Sequence, residues 1–222
     1  MRASECTSPC SRHRLRCALQ LAAILGLLAA IWLGGCGSAA EAEEWATAFD
    51  SGDGWVVGAD AVADVKVADG VMQIHVHQPG QLAWAASEGQ WQDFILQVDA
   101  TQVAGPHDNE YGVLVRMDGD RRFYAFSISG DGYVRVARYD SGRWIVLGPD
   151  WTPHEAVRQG EATNSLEVRA EGAVFSFQVN GQSVAEVEDA TLRAGSVGLY
   201  AGAFGEPDVV VEFDDLHVSL LD

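Results

Sequence analysis

The chain has 222 residues, and 32 Asp and Glu against 14 Lys and Arg give it a formal net charge of −18 at pH 7. Hydrophobic residues make up 48% of the sequence, which suffices for the core of one domain, or of two small ones at most. The excess of carboxylates repels phosphate backbones and anionic headgroups, so it argues against nucleic acid as a partner and against membrane binding through charge.

The first 35 residues have the features of an export signal. Four arginines precede the uncharged run LAAILGLLAAIWL at 21–33. This run is shorter than the roughly 20 apolar residues that a membrane-spanning helix needs. The sequence LGGC that ends at Cys36 resembles the lipobox of bacterial lipoproteins, in which the chain is cut before the cysteine and the thiol receives a diacylglycerol. The resemblance implies a signal peptide at 1–35, a lipidated cysteine with its tether at 36–44, and a mature domain at 45–222.

The cysteines support an exported domain that is stabilised by its core. All four lie at or before the proposed lipidation point, as Cys6, Cys10, Cys17 and Cys36. The domain after them can therefore form neither a disulfide nor a thiolate zinc site. After residue 35 the chain has ten basic and thirty-one acidic residues, a formal charge of −21. We expect lipid alone to anchor the protein, either in the outer membrane or on the outer face of the cytoplasmic membrane.

From Trp45 onward the sequence pattern indicates β-strands almost throughout. Apolar and polar residues alternate, with the period of a half-buried strand, in VMQIHVHQ from Val71, FILQVDATQV from Phe94 and VFSFQV from Val174. Asn180-Gly181 between two alternating runs is a strong hairpin signal. Turn signals about every ten residues predict an all-β fold, a two-sheet antiparallel β-sandwich. The segment PHEAVRQG at 153–160 predicts one short helix, with Thr152 as its cap.

Several longer segments match one known pattern. They are FDSGDGW near the start, HDNEYGVLVRMDGDRRFYAFSISGDGYVRVARYDSGRWIVL in the middle, ATNSLEVRAEGAVFSFQVNGQSVAEVED after it, and GSVGLYAGAFGEPDVVVEFDDLHV at the end. Together they resemble the concanavalin A-like (laminin-G-like jelly-roll) domains of bacterial envelope proteins, and in particular those labelled 3-keto-disaccharide hydrolases. The resemblance implies one convex and one concave sheet, with glycans bound on the concave face of many relatives.

A glycosidase of this fold, as the resemblance implies, carries two glutamates and an aspartate spaced as E-x-D-x-E or E-x-D-x-x-E on one strand. The nearest match is VEFDDLH, with Glu212, Asp214 and Asp215, in which the last glutamate is missing. The stretch EVED at 186–189 also lacks the spacing, and no serine stands in a G-x-S-x-G elbow. We therefore interpret both acidic stretches as structural, assign no catalytic residue, and leave enzymatic activity uncertain.

Two histidines form a candidate metal site. His75 and His77 share one face of a strand, a spacing at which a third residue could complete a ligand set. Because Met72, Ile74 and Val76 take the opposite face, we interpret the histidines as part of a solvated strand face instead.

Two acidic stretches, HDNE at 107–110 and DGD at 118–120, carry oxygen ligands near strand ends, where laminin-G-like domains hold calcium. Neither stretch matches an EF-hand loop, and Asp and Asn are also frequent in turns for backbone reasons. We expect no cofactor, and calcium is the one ion that the sequence leaves open.

Alternation also brings aromatic and polar side chains together on one side of three strands between Tyr111 and Tyr139. Sugar rings require such a surface, because an aromatic ring stacks on the apolar face of the sugar and a few directional groups bind its hydroxyls. The predicted ligand-binding face consists of Arg116, Phe123, Ser127, Tyr133, Arg135 and Trp144, with Trp84 and Trp91 as extensions. In the alternative interpretation the arginines pair with carboxylates and the aromatic side chains lie in the core.

The sequence thus favours a membrane-tethered extracytoplasmic binding module that recognises a carbohydrate or an envelope protein on the concave sheet face. An exported hydrolase acting on glycosides or sugar derivatives is the first alternative. A structural envelope domain with no small ligand is the second.

Overall fold

The structure, a computed structural model, describes residues 44–221. These residues form seventeen β-strands and no α-helix. In chain order the strands are β1 (Trp45–Thr47), β2 (Trp55–Val56), β3 (Gly58–Ala59), β4 (Ala63–Ala68), β5 (Val71–Val76), β6 (Gln81–Ser87), β7 (Phe94–Ala104), β8 (Asn109–Met117), β9 (Arg122–Ile128), β10 (Tyr133–Asp140), β11 (Arg143–Val146), β12 (Thr152–Pro153), β13 (Asn164–Glu171), β14 (Val174–Val179), β15 (Gln182–Glu188), β16 (Ser196–Ala203) and β17 (Val209–Leu220).

The strands form two antiparallel sheets that pack face to face. The nine-stranded sheet has the order β15-β14-β13-β7-β17-β5-β4-β3, with β1 added alongside β17. The eight-stranded sheet has the order β11-β10-β9-β8-β16-β6-β2, with β12 added alongside β10. The predicted two-sheet antiparallel sandwich is therefore confirmed.

The main core lies between the sheets and is built by alternation. Phe94, Leu96 and Val98 of β7 are buried, as are Phe175 and Phe177 of β14, while the residues between them are more exposed. This is the pattern predicted from the sequence. The eight-stranded sheet departs from it, because every residue of its central strands β8 and β16 is buried. A second apolar cluster covers the other face of that sheet, with Leu114, Met117, Phe123, Ala125 and Tyr200 at its centre.

The prediction of a short helix at 153–160 is wrong. His154 begins a turn, in which the Ala156 amide donates to His154 Nδ1 and the Val157 amide to the His154 carbonyl. The next amide, of Arg158, donates to the Asn164 side chain at 2.8 Å. Side chains thus take the amide hydrogens that a helix would use, a competition that favours turns.

No helix among residues 44–221 is long and apolar enough to cross a membrane. The predicted signal peptide and the lipidation site Cys36 lie outside the described residues.

Candidate functional site

The strand register decides which side chains share the outer face of the eight-stranded sheet, the face turned away from the main core. Arg135 of β10 lies opposite Ser127 of β9, which lies opposite Gly112 of β8. Gly112 in turn lies opposite Tyr200 of β16, which lies opposite Trp84 of β6. Directly paired residues point to the same side of a sheet, so these five form one row across the outer face.

A second row on the same face is aromatic. Tyr139 lies opposite both Phe123 and Trp144. The ring centroids are 5.1 Å apart for Phe123 and Tyr139 and 5.0 Å apart for Tyr139 and Trp144. Trp84 approaches Phe123 from the other side at 6.2 Å. Phe123 is buried by these neighbours, while Tyr139 and Trp144 are half-buried, so Tyr139 and Trp144 form the solvent-accessible part of this aromatic row.

The structure brings five of the six predicted binding residues together on this outer face. They are Phe123, Ser127, Tyr133, Arg135 and Trp144, and the predicted extension Trp84 joins them. Their role in ligand binding stays a prediction, whereas their common face follows from the register.

Arg116 is the exception, and its assignment to the outer face is wrong. The pairing of β8 with β16 shifts by a bulge between Ser196 and Gly198, and Arg116 itself has a φ of 49°. A bulge breaks the alternation of side chains, so counting in twos from Leu114 no longer gives the right face. The Arg116 side chain is fully buried.

Backbone oxygens hold the buried Arg116 guanidinium. Nε and Nη2 donate to the Gln92 carbonyl at 3.0 and 2.7 Å, and Nη1 donates to the carbonyls of Gly172 at 2.7 Å and Leu192 at 3.1 Å. Asp93 supplies a carboxylate oxygen 3.3 Å from Nη2. Arg116 therefore ties three loops to the end of β8 and is not available to a ligand.

Trp91 is also placed elsewhere. Its ring stacks on Trp45 at a centroid distance of 5.5 Å, and Trp45 contacts Trp55 at 5.1 Å. Trp91 and Trp55 belong to the main core. The prediction that Trp91 extends the aromatic surface of the outer face is therefore wrong.

A buried polar cluster lies at the centre of the outer face. The hydroxyls of Ser127 and Tyr200 are hydrogen bonded to each other, and the Tyr200 hydroxyl donates to Glu110 Oε2 at 3.4 Å. Glu110 lies opposite Gly202, where an added Cβ would be 2.8 Å from Glu110 Cγ. The glycine thus makes room for the glutamate, which is 6% exposed.

Burial raises the pKa of Glu110 to about 7, an effect that the charge of Arg135 and the hydrogen bond from Tyr200 oppose. Burial, with the nearby Glu110 charge, raises the pKa of the Tyr200 hydroxyl well above its ordinary value. Tyr200 therefore stays protonated and donates to Glu110, while Glu110 gains or loses its proton near neutral pH.

Arg135 connects the polar cluster to two tryptophans. Its guanidinium carbon lies 4.9 Å from the ring centre of Trp144 and 5.7 Å from that of Trp151. Asp150 forms an ion pair with it, 3.2 Å from Nε. Cation–π contact with two rings fixes the position of this charge beside Glu110.

A pocket of about 620 Å³ lies at the end of the outer face, where the Trp151 segment approaches the loop after β16. Its lining residues are Asp108, Ser129, Asp131, Tyr133, Trp151 and Phe204. The rings of Trp151 and Phe204 meet nearly at right angles, with centroids 5.3 Å apart. The Ser129 hydroxyl donates to Asp131, and Tyr133 is 36% exposed. The pocket combines aromatic surface with hydrogen-bonding oxygens.

Sequence reasoning did not assign several residues of this region to a ligand-binding site, namely Glu110 and Tyr200 of the polar cluster and Asp108, Ser129, Asp131, Trp151 and Phe204 of the pocket. For Glu110 and Tyr200 a signal exists, because Tyr111 and Leu199 face the core and alternation then turns their neighbours outward. Trp151 and Phe204 stand in loops next to strand ends, where no period indicates a face. Register and loop path therefore decide their positions.

The acidic stretches that the sequence offers as catalytic candidates lie apart from the polar cluster. Glu212 is on the nine-stranded sheet and accepts a hydrogen bond from Gln73 at 2.9 Å. Asp215, with a φ of 50°, sits at a bulge in β17. Asp189 accepts a hydrogen bond from the Tyr124 hydroxyl at 2.7 Å and pairs with Arg138. These contacts hold loops and strands in place.

The two stretches weighed for calcium lie in different surroundings. Asn109 is buried and its side chain bonds the Pro106 carbonyl and the Gly130 amide, while Glu110 belongs to the polar cluster. Asp118 forms an ion pair with Arg122. Calcium binding stays an open expectation.

Solved structures with the same fold come from several saccharide-related proteins. The carbohydrate binding module CBM66 from Bacillus subtilis is 18% identical, with a TM-score of 0.59 over 75% of this chain and 96% of that one. A beta-1,3-1,4-glucanase (lichenase) from a mouse hindgut metagenome is 12% identical, with a TM-score of 0.58 over 80% of this chain and 99% of that one. A putative glycosyl hydrolase from Parabacteroides distasonis is 15% identical, with a TM-score of 0.51 over 75% and 99%. At these identities the likeness shows the fold alone, a concanavalin A-like jelly roll.

Among curated proteins, no sequence matches the chain. The family comparison is more specific, because residues 44–219 match the family model of the 3-keto-alpha-glucoside-1,2-lyase-like domain. This match spans the whole sandwich, including both rows of the outer face. The chain therefore belongs to the family of 3-keto-alpha-glucoside-1,2-lyase-like domains.

Proposed function

We propose that this protein binds a saccharide on the outer face of the eight-stranded sheet, with the pocket at Trp151 and Phe204 as the primary site. The observation that carries the proposal is the composition of that pocket. Two aromatic rings at nearly right angles stand beside the carboxylates of Asp108 and Asp131 and the exposed ring of Tyr133.

This composition suits a sugar ring. The apolar face of a pyranose stacks on an aromatic ring, and carboxylates accept hydrogen bonds from its hydroxyl groups. The acidic lining disfavours anionic ligands by charge repulsion, so the proposed ligand is a neutral oligosaccharide or glycoside. The fold shared with a carbohydrate binding module and with glycoside hydrolases supports a saccharide as the ligand class.

A glycan array followed by calorimetry tests this proposal. Trp151→Ala and Tyr133→Ala should each weaken binding of the best array ligand about tenfold or more, because each removes aromatic contact area from a small site. Val174→Ala is the matched control, since Val174 is an exposed apolar residue of the nine-stranded sheet, and its affinity should be unchanged. Equal losses in all three variants, or no glycan binding at all, would contradict the proposal.

A second candidate function is elimination from a 3-keto-α-glucoside, and Glu110 favours it. In such a reaction a base removes the proton on C2, which the neighbouring ketone makes acidic, and the glycosidic oxygen leaves C1 as it gains a proton. A carboxyl group whose pKa is about 7 can serve as base and as acid at neutral pH. Tyr200 stabilises the ionised carboxylate through its hydroxyl.

Glu110→Gln separates the two functions. The amide keeps an oxygen that accepts from Tyr200 but cannot transfer a proton. If the protein is a lyase, this variant should lose turnover of a 3-keto-α-glucoside at least about a hundredfold while it still binds the unoxidised glucoside. If wild type shows binding and no turnover, the module acts by binding alone.

We also propose that the protein is exported and anchored by lipid on Cys36, so that the saccharide site is displayed outside the cytoplasm. The LGGC sequence and the absence of any later cysteine support this anchor. The partners are then an envelope or extracellular glycan, or an envelope protein that carries one.

A further inference from the structure

Two histidines and two aspartates converge on the outer face of the nine-stranded sheet, on the other side of the sandwich from the saccharide site. Asp64 of β4 lies directly opposite His75 of β5. His77 follows one residue after β5 ends, and Asp208 directly precedes β17, the other neighbour of β5. Three adjacent strands therefore supply the four side chains.

Their nitrogen and oxygen atoms are already near metal-ligand spacing. His75 Nε2 lies 3.2 Å from Asp208 Oδ1, and His77 Nε2 lies 3.4 Å from Asp64 Oδ2. Four ligands at about 2.0–2.1 Å from a zinc ion are about 3.3 Å from one another in a tetrahedron. One ligand atom each from Asp64, His75 and His77 lie within 4.8 Å of one another, and the two imidazole rings are 4.1 Å apart.

Small side-chain rotations can bring these ligand atoms from their present separations to the spacing of a tetrahedral zinc site. The side chains of His75, His77 and Asp64 are 30%, 29% and 42% exposed, so they are free to turn without disturbing the core. Met72, Ile74 and Val76 hold the same strand from its buried face. From the sequence, these histidines are interpreted as part of a solvated strand face, and no third ligand can be identified. The strand register supplies it by placing Asp64 opposite His75.

We propose that Asp64, His75 and His77 bind one divalent first-row transition ion, with zinc as the reference case, and that Asp208, which contacts His75 but lies outside this mutually close group, turns to supply the fourth ligand. Two imidazoles and two carboxylates suit zinc, copper or nickel better than calcium, which prefers six to eight oxygen ligands. The ion links β4, β5 and the start of β17. At partial exposure a water molecule can replace the weakest ligand.

The test uses the protein in detergent, stripped of metal and with any free cysteine alkylated, because thiolates also bind zinc. Calorimetry with Zn²⁺ should give one ion per chain, and Co²⁺ should produce the strong visible absorption of a four-coordinate site. His75→Ala and His77→Ala should each weaken binding at least about a hundredfold, and Asp64→Asn about tenfold. His217→Ala is the matched control, because His217 is an exposed histidine of the same sheet.

A thermal measurement guards against misfolded variants. In EDTA all variants should unfold at the wild-type temperature, and Zn²⁺ should raise that temperature for wild type and His217→Ala but not for the His75→Ala/His77→Ala double variant. The proposal fails if wild type binds no zinc, or if the double variant binds zinc as wild type does. Saccharide binding is independent of this outcome, since the two sites lie on different sheets.

Discussion

At the residue scale, Arg116 shows how a polar side chain that looks surface-directed can be structural. The main partners of its guanidinium are not carboxylates. They are backbone carbonyls from three separate loops. A carbonyl that is buried away from water and loses its hydrogen-bond donor is left unsatisfied, which destabilises the folded state. The residue therefore contributes to stability through the loops it joins.

Arg116→Met should lower the free energy of unfolding by about 3–5 kcal/mol, because three carbonyls lose their donor and each buried acceptor left without a hydrogen bond costs about 1–3 kcal/mol. Urea unfolding of the purified protein measures this change. Arg122→Met is the matched control, because the ion pair between the Arg122 side chain and Asp118 is exposed and solvated, so the stability of this variant should not change measurably. A loss in Arg116→Met no larger than in the control would show that the loops are held by other contacts.

Glu110 gives the protein a pH-dependent stability of defined sign. Its pKa is about 7 in the folded state against 4.5 for an ordinary glutamate, so the folded state binds the proton more tightly than the unfolded state. The contribution of Glu110 to stability is therefore full below about pH 4.5 and is lost as pH rises through about 7.

The variant Glu110→Gln should remove this dependence. At pH 4 its free energy of unfolding should be close to that of wild type, and at pH 8 it should exceed wild type by about 3 kcal/mol, since one pKa unit corresponds to about 1.4 kcal/mol. Urea unfolding at both pH values gives the difference. A difference that is the same at pH 4 and pH 8 would mean that Glu110 titrates normally.

At the element scale, periodicity predicts the strands well where one face of a strand is polar. The strands β7 and β14 follow this rule, and their buried residues are those expected from alternation, whereas a bulge interrupts the alternation of β15. Periodicity fails in the centre of the eight-stranded sheet, where both faces are covered and one bulge reverses the direction of Arg116. It also fails where an Asn164 side chain replaces helical hydrogen bonds.

The hairpin at Asn180-Gly181 offers a test of backbone conformation without side-chain packing. Both residues have positive φ, 53° and 74°, and an added Cβ at Gly181 would meet nothing within 4 Å. Gly181→Ala should therefore cost about 1–2 kcal/mol through the backbone alone. Gly58→Ala, also in open space but without positive φ, should cause no loss. Urea unfolding of the two variants compares them, and equal effects would refute the backbone explanation.

At the scale of the whole molecule, the sandwich separates two kinds of chemistry on its two outer faces. The eight-stranded sheet carries aromatic rings, a titratable glutamate and the acidic pocket, while the nine-stranded sheet carries the histidine and aspartate cluster. The sequence predicts the residues of the first face that alternate regularly along strands, but not the loop residues that line the pocket. The second face depends on register between β4, β5 and β17, which no local pattern encodes.

The net charge of residues 36–222 makes the proposed lipid anchor testable. With a formal charge of −21 the domain is repelled by anionic lipids, so the lipid on Cys36 should be its whole attachment to the membrane. A protease site inserted into the tether at 37–44 should then release the domain completely on cleavage, at low and at high salt. Without cleavage, high salt should release nothing, because salt screens charges and leaves acyl chains in the bilayer.

Sedimentation of membranes with immunodetection measures both outcomes, and mass spectrometry of the remaining N-terminal fragment should show acylated Cys36. A cleaved domain that stays with the membrane at low salt would reveal a protein or glycan partner there, and release by salt alone would exclude the lipid anchor.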